Sequence, residues 1–591
     1  MPGGGRHRRR IRIALPVAAA GVAAAVAGAL LSTSAGAATP LPEPVVRPAA
    51  HSPSQAELEQ RIAGGMAGDD VAGKTSQASL SAGTVAGRVD PKVIGGNETT
   101  ISTAPWMAQL LYSDTRGTSS TRDDIGFFCG GAVVAPTKIL TAAHCVKGYD
   151  WSAHGAVVTG TSRLPSDDGT DLHGGTATAV LRQWNHPLYS ATTVDNDIAV
   201  LTLDTPVKAT PIRMTTSGDT ASYKAGTSAK VYGWGRTSST NDDISETLKT
   251  ATLPMQSDTT CSGAYGRDFI KGHMVCAGKP ATGSDAGTVS ACNGDSGGPL
   301  VVNNRIVGVV SWGVADCVEK GAYSVFSKVS TYVGAAYPRL DDANLSGDGK
   351  ADLWVRNAST KTGYSKASKG TSFAARESWG NWDGVNVVLQ TDLDRDGYQD
   401  LVYRRSSDGD VFWASGRTGT TRQIADNWKT RTRIIAPGDV TGDYLPDLLS
   451  VDSAGVLWIY PGNGNGTFAA RVQVGSGWNQ YNSVRGKGDF NGDGKADLIA
   501  RSKSGGYLYL YKGTGKAGSG AFSARVKVRT WDGYNAFDAT GDVTGDGKAD
   551  FLARTPGGTL YLYAGTGKGT SEIFATRQSV GTDFKQYDIF G

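Results

Sequence analysis

Cysteine is missing from this chain except between Cys129 and Cys317, where all six lie. Charge is scarce too. Only 19% of residues are Asp, Glu, Lys or Arg, and the formal net charge is +4. Part of that excess sits in Arg6, Arg8, Arg9, Arg10 and Arg12, so no basic surface for nucleic acid is expected. After Leu31 no apolar run is long enough to cross a bilayer. Residues 38 to about 92 hold no Phe, Tyr, Trp or Cys. Such a segment buries little apolar surface and is expected to be disordered or weakly ordered. Glycine, by contrast, is abundant, with 80 in 591 residues. With so little charge, that composition fits turn-rich β structure better than long helices.

The start of the chain is basic, then apolar from Ile13 to Leu31, then small-residue at Ala35-Gly36-Ala37. This is the order of a secretory signal over residues 1–37, so a secreted, extracellular protein is expected. An uncleaved membrane anchor is the rival reading, and the paired arginines leave a twin-arginine route open. An even number of cysteines in an exported chain favours disulfides, although the count does not choose among pairings. Residues 38–92 read as a pro-segment, with a cell-wall spacer as the plain alternative. From Val93, short apolar runs such as "WMAQLLY", "DIAVLTL" and "RIVGVVSWG" alternate with Gly, Asp and Ser turns. That texture predicts an all-β sandwich or barrel. One helix is expected, at "SKVSTYVGAAY" near residues 327–337.

Three short motifs carry chemistry. A serine hydroxyl is a poor nucleophile unless a base lies within hydrogen-bond reach and a third group holds that base. His144 in "LTAAHC", Asp197 in "NDIAVL" and Ser296 in "NGDSGGPL" supply the three. The glycines around Ser296 let backbone N–H groups converge on one small space, as an oxyanion requires. Singly, each has a bland reading: a packed histidine, a strand-edge carboxylate, a tight turn. Together and in this order they resemble the His, Asp and Ser motifs of the chymotrypsin/trypsin serine protease family. "VIGG" at 93–96, "CGG" at 129–131, "YGWG" at 232–235 and "SWG" at 311–313 match as well.

The resemblance covers about residues 93–338 and implies a two-barrel, all-β serine endopeptidase acting on protein or peptide substrates without a catalytic cofactor. It assigns Ser296 as nucleophile, His144 as base and Asp197 as the group that orients it, the roles these residues have in the family. The N–H groups of Gly294 and Ser296 would form the oxyanion hole. It also implies the disulfides Cys129–Cys145, Cys261–Cys276 and Cys292–Cys317. "DPKVIGG" resembles the family's activation site, with cleavage between Lys92 and Val93 and insertion of the new amino group beside Asp295.

The substrate pocket departs from trypsin. Six residues before the nucleophile, where trypsin-like members carry Asp, stands Ser290. Gly313 leaves the pocket mouth open, and Ser324 replaces a usual glycine on the inner wall. An uncharged P1 residue is expected, aromatic or large aliphatic. Asp316 and Glu319 in the adjoining loop keep a basic P1 as the alternative. Because the activating bond follows Lys92, a pocket floored by Ser290 suits it badly, and an external activating protease is expected.

From about residue 339 to 591 the chain repeats. "NLSGDGKADL", "DLDRDGYQDL", "DVTGDYLPDL", "DFNGDGKADL" and "DVTGDGKADF" begin at residues 344, 392, 439, 489 and 542. A period near 50 residues with several strands per unit predicts propeller blades. Oxygen-bearing side chains at alternate loop positions suit Ca²⁺. They are Asn344, Ser346, Asp348 and Asp352; Asp392, Asp394, Asp396 and Asp400; Asp439, Thr441, Asp443 and Asp447; Asp489, Asn491, Asp493 and Asp497; Asp542, Thr544, Asp546 and Asp550. No Glu stands at the twelfth position, which argues against an EF-hand. The loops resemble those of FG-GAP/VCBS repeats. The first loop lacks the strand that precedes the others, and "YDIFG" at the end is that strand without its loop. Joined, they would close a five-bladed propeller, with an open array as the alternative, that binds a polymer, cell surface or protein partner, or stabilises the enzyme. The rival class is an adhesion or surface-binding protein whose protease part is secondary.

Overall fold

The computed structural model describes residues 41–42, 45, 52–68, 93–118, 123–217, 219–340 and 343–591. The expected signal segment 1–37 and Lys92 lie outside them.

The part from Val93 begins with a closed barrel of six strands. Around it run Met107–Asp114, Ile125–Ala135, Lys138–Thr141, Ala199–Leu203, Thr176–Asn185 and Gly155–Thr159. The second sheet runs from Asn97–Glu98 through Lys249–Pro254, Ser228–Gly233, Pro299–Val302, Arg305–Trp312 and Ser324–Lys328 to Met274–Ala277. A single bridge, Met255 to Ala277, joins the end of Lys249–Pro254 to the last strand Met274–Ala277. Disulfides link Cys129 to Cys145, Cys261 to Cys276 and Cys292 to Cys317. The expected helix is Val329–Ala336, while Ser327 and Lys328 finish the strand before it.

Residues 52–68 correct the composition argument. Gln55–Ala67 is a helix, capped by Ser54 Oγ accepting the Glu57 N–H at 3.2 Å. Leu58, Ile62 and Gly65 fall one helical turn apart and are buried. The segment lacks aromatics because it builds no core of its own. It packs on the outside of the protease barrel, with Leu111, Ala156, Val158 and Ala179.

Residues 343–591 form five sheets of four antiparallel strands. In the last four blades the innermost strands are Val385–Thr391, Arg433–Gly438, Tyr481–Arg485 and Ala536–Gly541. In the first blade that place is taken by the C-terminal strand Tyr587–Phe590, which pairs with Leu353–Asn357 and closes the ring. Each blade ends on a buried aromatic: Trp382, Trp428, Trp478, Trp531 or Phe584. Its backbone N–H donates to the turn inside the same blade, as in Trp428 to Gly409 O and Trp478 to Gly455 O.

The Asp-rich loops face the protease. The helix Val329–Ala336 ends in small residues, which permits close approach. A Cβ on Gly334 would lie 3.0 Å from Gly492 Cα, and one on Gly547 2.8 Å from Ala335 Cβ. Polar contacts cross at several loops. Tyr337 Oη donates to Asp439 O at 3.2 Å, and Arg395 Nη1 donates to Leu340 O at 2.8 Å. Arg339 pairs with Asp542 Oδ2 at 2.9 Å, and Arg182 donates to Gly397 O.

Candidate active site

His144 sits in a single 3₁₀ turn, Ala143–Cys145, just past the strand Lys138–Thr141. The disulfide from Cys145 to Cys129 ties this turn to the neighbouring strand. Asp197 is fully buried. Its Oδ1 accepts the His144 backbone N–H at 2.8 Å, and its Oδ2 lies 2.8 Å from His144 Nδ1. An ionised Asp197 can only accept, so the imidazole proton is assigned to Nδ1 and Nε2 keeps its lone pair. Ser311 Oγ donates to the same Oδ2 at 2.6 Å. Ser327 Oγ donates to Asp197 O at 2.6 Å and fixes the backbone. Neither serine's role is readable from the motifs, although Ser311 begins the "SWG" match.

Ser296 lies in a turn that only glycine permits. Gly294 has φ +91° and Gly297 φ +81°. A Cβ on Gly297 would sit 2.1 Å from Thr141 Oγ1, so this turn abuts the strand leading to His144. The Gly130 N–H holds Ser296 O at 2.7 Å, and the Gly297 N–H donates to Val310 O at 2.9 Å, next to Ser311. The structure thus brings the Ser296 turn to both other motifs, without a Ser296 Oγ–His144 hydrogen bond. Among the described residues the N–H groups of Gly294 and Ser296 have no hydrogen-bond acceptor.

The pocket residues are mutually engaged. Ser290 Oγ donates to Cys317 O at 2.8 Å, and Ser324 Oγ accepts the Ala291 N–H at 2.9 Å. A Cβ on Gly313 would meet nothing within 4 Å. Asp316 is exposed, and its Oδ1 accepts the Val318 and Glu319 N–H groups of its own loop. Val93 and Ile94 are buried alongside, with Ile94 O accepting the Ser290 N–H at 3.1 Å.

Asp295 is also fully buried. It accepts the Gly235 and Cys292 N–H groups at 2.8 and 2.9 Å. Burial outweighs both bonds and pushes its carboxyl up to about 6. Among the described residues no basic side chain pairs with it.

The five propeller loops share one plan. The ninth-position carboxylates, Asp352, Asp400, Asp447, Asp497 and Asp550, are fully buried. Each staples its loop by accepting N–H groups from both the loop and a later turn, as Asp497 does from Phe490 and Gly513. Asp439, Asp489 and Asp542 each accept three consecutive loop N–H groups. In the second loop, carboxylate oxygens of Asp392, Asp394 and Asp396 lie within 4.8 Å of one another. Burial and then mutual repulsion push Asp394 up to about 6 and Asp396 up to about 7. Asp493 Oδ1 in the fourth loop and Thr441 Oγ1 in the third are buried without a hydrogen-bond partner. Crowded carboxylates and unsatisfied oxygens fit a hard divalent cation.

Comparison with known proteins agrees with this geometry. Residues 93–335 match the Trypsin family model, and residues 489–553 match the FG-GAP-like repeat. The chain is 38% identical over 240 residues to a trypsin of Saccharopolyspora erythraea, covering 41% of this chain and 94% of that one. It is 35% identical over 245 residues to kallikrein-14 of Homo sapiens, covering 41% of this chain and 81% of that one. The chain therefore belongs to the trypsin family, a serine endopeptidase joined to a five-bladed propeller of FG-GAP-like repeats.

Proposed function

We propose that the protein is a secreted endopeptidase, made as a zymogen, that cleaves by an acyl-enzyme route. Ser296 Oγ attacks the scissile carbonyl while His144 Nε2 takes its proton. His144 then returns that proton to the leaving amine, and water repeats the cycle on the acyl-enzyme. Asp197 fixes the imidazole tautomer and stabilises the imidazolium. The Gly294 and Ser296 N–H groups receive the oxyanion, where one donor is worth about 10²–10³ in turnover. The observation that carries this reading is the Ser311–Asp197–His144 chain of hydrogen bonds beside the Ser296 turn. Ser296→Ala is expected to abolish peptide hydrolysis and labelling by a serine-directed covalent inhibitor without lowering the melting temperature. Undiminished turnover would remove the assignment.

P1 is uncharged in this reading, aromatic or large aliphatic. Ser290 spends its proton on Cys317 O, and Asp316 is held by its own loop. The zymogen reading is supported by Asp295, a buried carboxylate with amide donors but no cation. Cleavage between Lys92 and Val93 would free an ammonium on Val93, already buried next to the pocket wall, and such a charge needs a partner.

The propeller stabilises the enzyme, and Ca²⁺ is the cation its loops suit. When bound, the ion would neutralise carboxylates such as Asp394 and Asp396 in the loop facing Arg182. External binding belongs to the opposite end, where the innermost strands begin. There a cavity of about 420 Å³ is lined by Asn386, Asn482, Asn535, Arg433 and Arg485, with Asp588 and apolar side chains such as Ile434 and Phe537 between them. Amides, guanidinium groups and a carboxylate set among apolar side chains suit a polar polymer unit.

A further inference from the structure

The barrel strand Met107–Asp114 is buried at six consecutive positions, Met107 to Tyr112. In a strand, alternate side chains point to opposite faces. Leu110 and Tyr112 join the barrel interior. Leu111 joins an apolar patch outside it, with Ala156, Val158 and Ala179. The helix Gln55–Ala67 covers that patch through Leu58 and Ile62, and Ile62 is fully buried.

The fit is close along the whole helix. A Cβ on Gly65 would lie 2.8 Å from Leu111 Cβ, and one on Gly68 2.0 Å from Gly126 O. Arg61 is buried and donates to Gly155 O at 3.1 Å and to Glu57 Oε1 at 2.6 Å. Upstream, Ser52 Oγ donates to Asp204 Oδ2 at 2.6 Å. Asp204 also receives the propeller, since Arg417 Nη1 donates to its backbone O at 2.6 Å. One protease residue therefore meets both the pro-segment and the propeller. None of these contacts involves residues 69–92 or touches His144, Asp197 or Ser296.

We propose that the pro-segment stays bound after the chain is cut before Val93, as a non-covalent second chain of the mature enzyme. This rests on the zymogen reading. The cut breaks none of the contacts just named, whereas release would expose Leu111, Ala156, Val158 and Ala179 to water together. With no cysteine before Cys129, a disulfide cannot hold the pieces, so packing must. The segment acts as a brace on the barrel, not as a plug in the active site.

The test uses full-length Ser296→Ala protein carrying an inserted site-specific protease sequence between residues 69 and 92. The cut is thereby independent of whether Lys92–Val93 is the natural site. After cutting, gel filtration followed by denaturing mass spectrometry of the main peak is expected to recover the fragment with residues 52–68 in equal molar amount with the rest. Ile62→Asp is expected to lose that fragment from the peak and to raise binding of a hydrophobic dye. Gln60→Ala, on the exposed side, is expected to keep it. Elution of the fragment with residues 52–68 apart from the rest of the parent protein overturns the proposal, as does equal retention by Ile62→Asp.

Discussion

Ser311→Ala isolates the support behind the catalytic pair. Asp197 is fully buried, and its carboxylate has three protein donors: the His144 N–H, His144 Nδ1 and Ser311 Oγ. The serine bond is the shortest at 2.6 Å. A hydrogen bond to a charged group is worth about 1.5–3 kcal/mol. At about 1.36 kcal/mol per decade, losing it lowers kcat/KM by about 10- to 150-fold at most. The lower end is expected, because two donors remain. The loss should depend on pH. With one donor gone, the negative charge of Asp197 is less spread and holds the shared imidazole proton more tightly. The acid limb of kcat/KM then moves to higher pH, so activity recovers in part at alkaline pH. The assay is a pH profile on one peptide substrate, with melting temperature as the control for folding. A loss equal at every pH together with a lowered melting temperature would make Ser311 a packing residue. Activity within about twofold of the parent at every pH would refute the argument.

Peptides differing only at P1 are expected to favour Phe, Tyr or Leu over Arg and Lys by more than about tenfold, the cost of desolvating a cation that meets no carboxylate; a preference for Arg would mean that Asp316 or Glu319 reaches the pocket. Trypsin is expected to release the Val93 terminus from Ser296→Ala proenzyme readily and the mature enzyme hardly at all, read by N-terminal sequencing; equally fast release by the mature enzyme would sink the external activator. Millimolar Ca²⁺ is expected to raise the melting temperature of the full-length protein relative to chelator, and an unchanged midpoint would count against the metal sites. In chelator, stability is expected to fall as pH rises from 5 to 8. Asp394, Asp396 and Asp447 have folded values of about 6 to 7 against 3.8, so the folded state binds more protons in that window and loses the advantage on titration. A denaturant midpoint that rises across the window would reverse the sign and reject the crowded-carboxylate picture.

Much of the architecture was legible because it rests on local, contiguous signals. The three catalytic motifs each fit in six to eight residues, and each sits where an apolar run meets a turn. The five-bladed closure followed from the spacing of the Asp-rich loops and from one unpaired strand at the end, which the pairing of Arg356 with Ile589 realises. The helix Gln55–Ala67 was illegible by composition, since its apolar face is small, Leu58, Ile62, Gly65 and Met66, and its core belongs to another part of the chain. Ser311 looked like part of a strand motif, because nothing in "SWG" announces that its hydroxyl turns to Asp197. The blade-ending aromatics were a missed signal of the same kind: a Trp or Phe recurs just before each innermost strand.

The orientation of the propeller could not be read at all, and its physical basis explains why. The joint with the protease depends on pairs such as Arg339 and Asp542, 203 residues apart, and on Gly334 and Ala335 being small enough for backbone contact. In the sequence these two are ordinary helix residues. The same placement constrains what the loops can do. Asp542 already neutralises a buried arginine of the protease side, and Asp439 already offers its carbonyl to Tyr337. A cation entering these loops therefore acts on the joint itself, so the chemistry of the repeats and the attachment of the enzyme are one set of contacts. A propeller that met a distant ligand through these loops would first have to leave the protease.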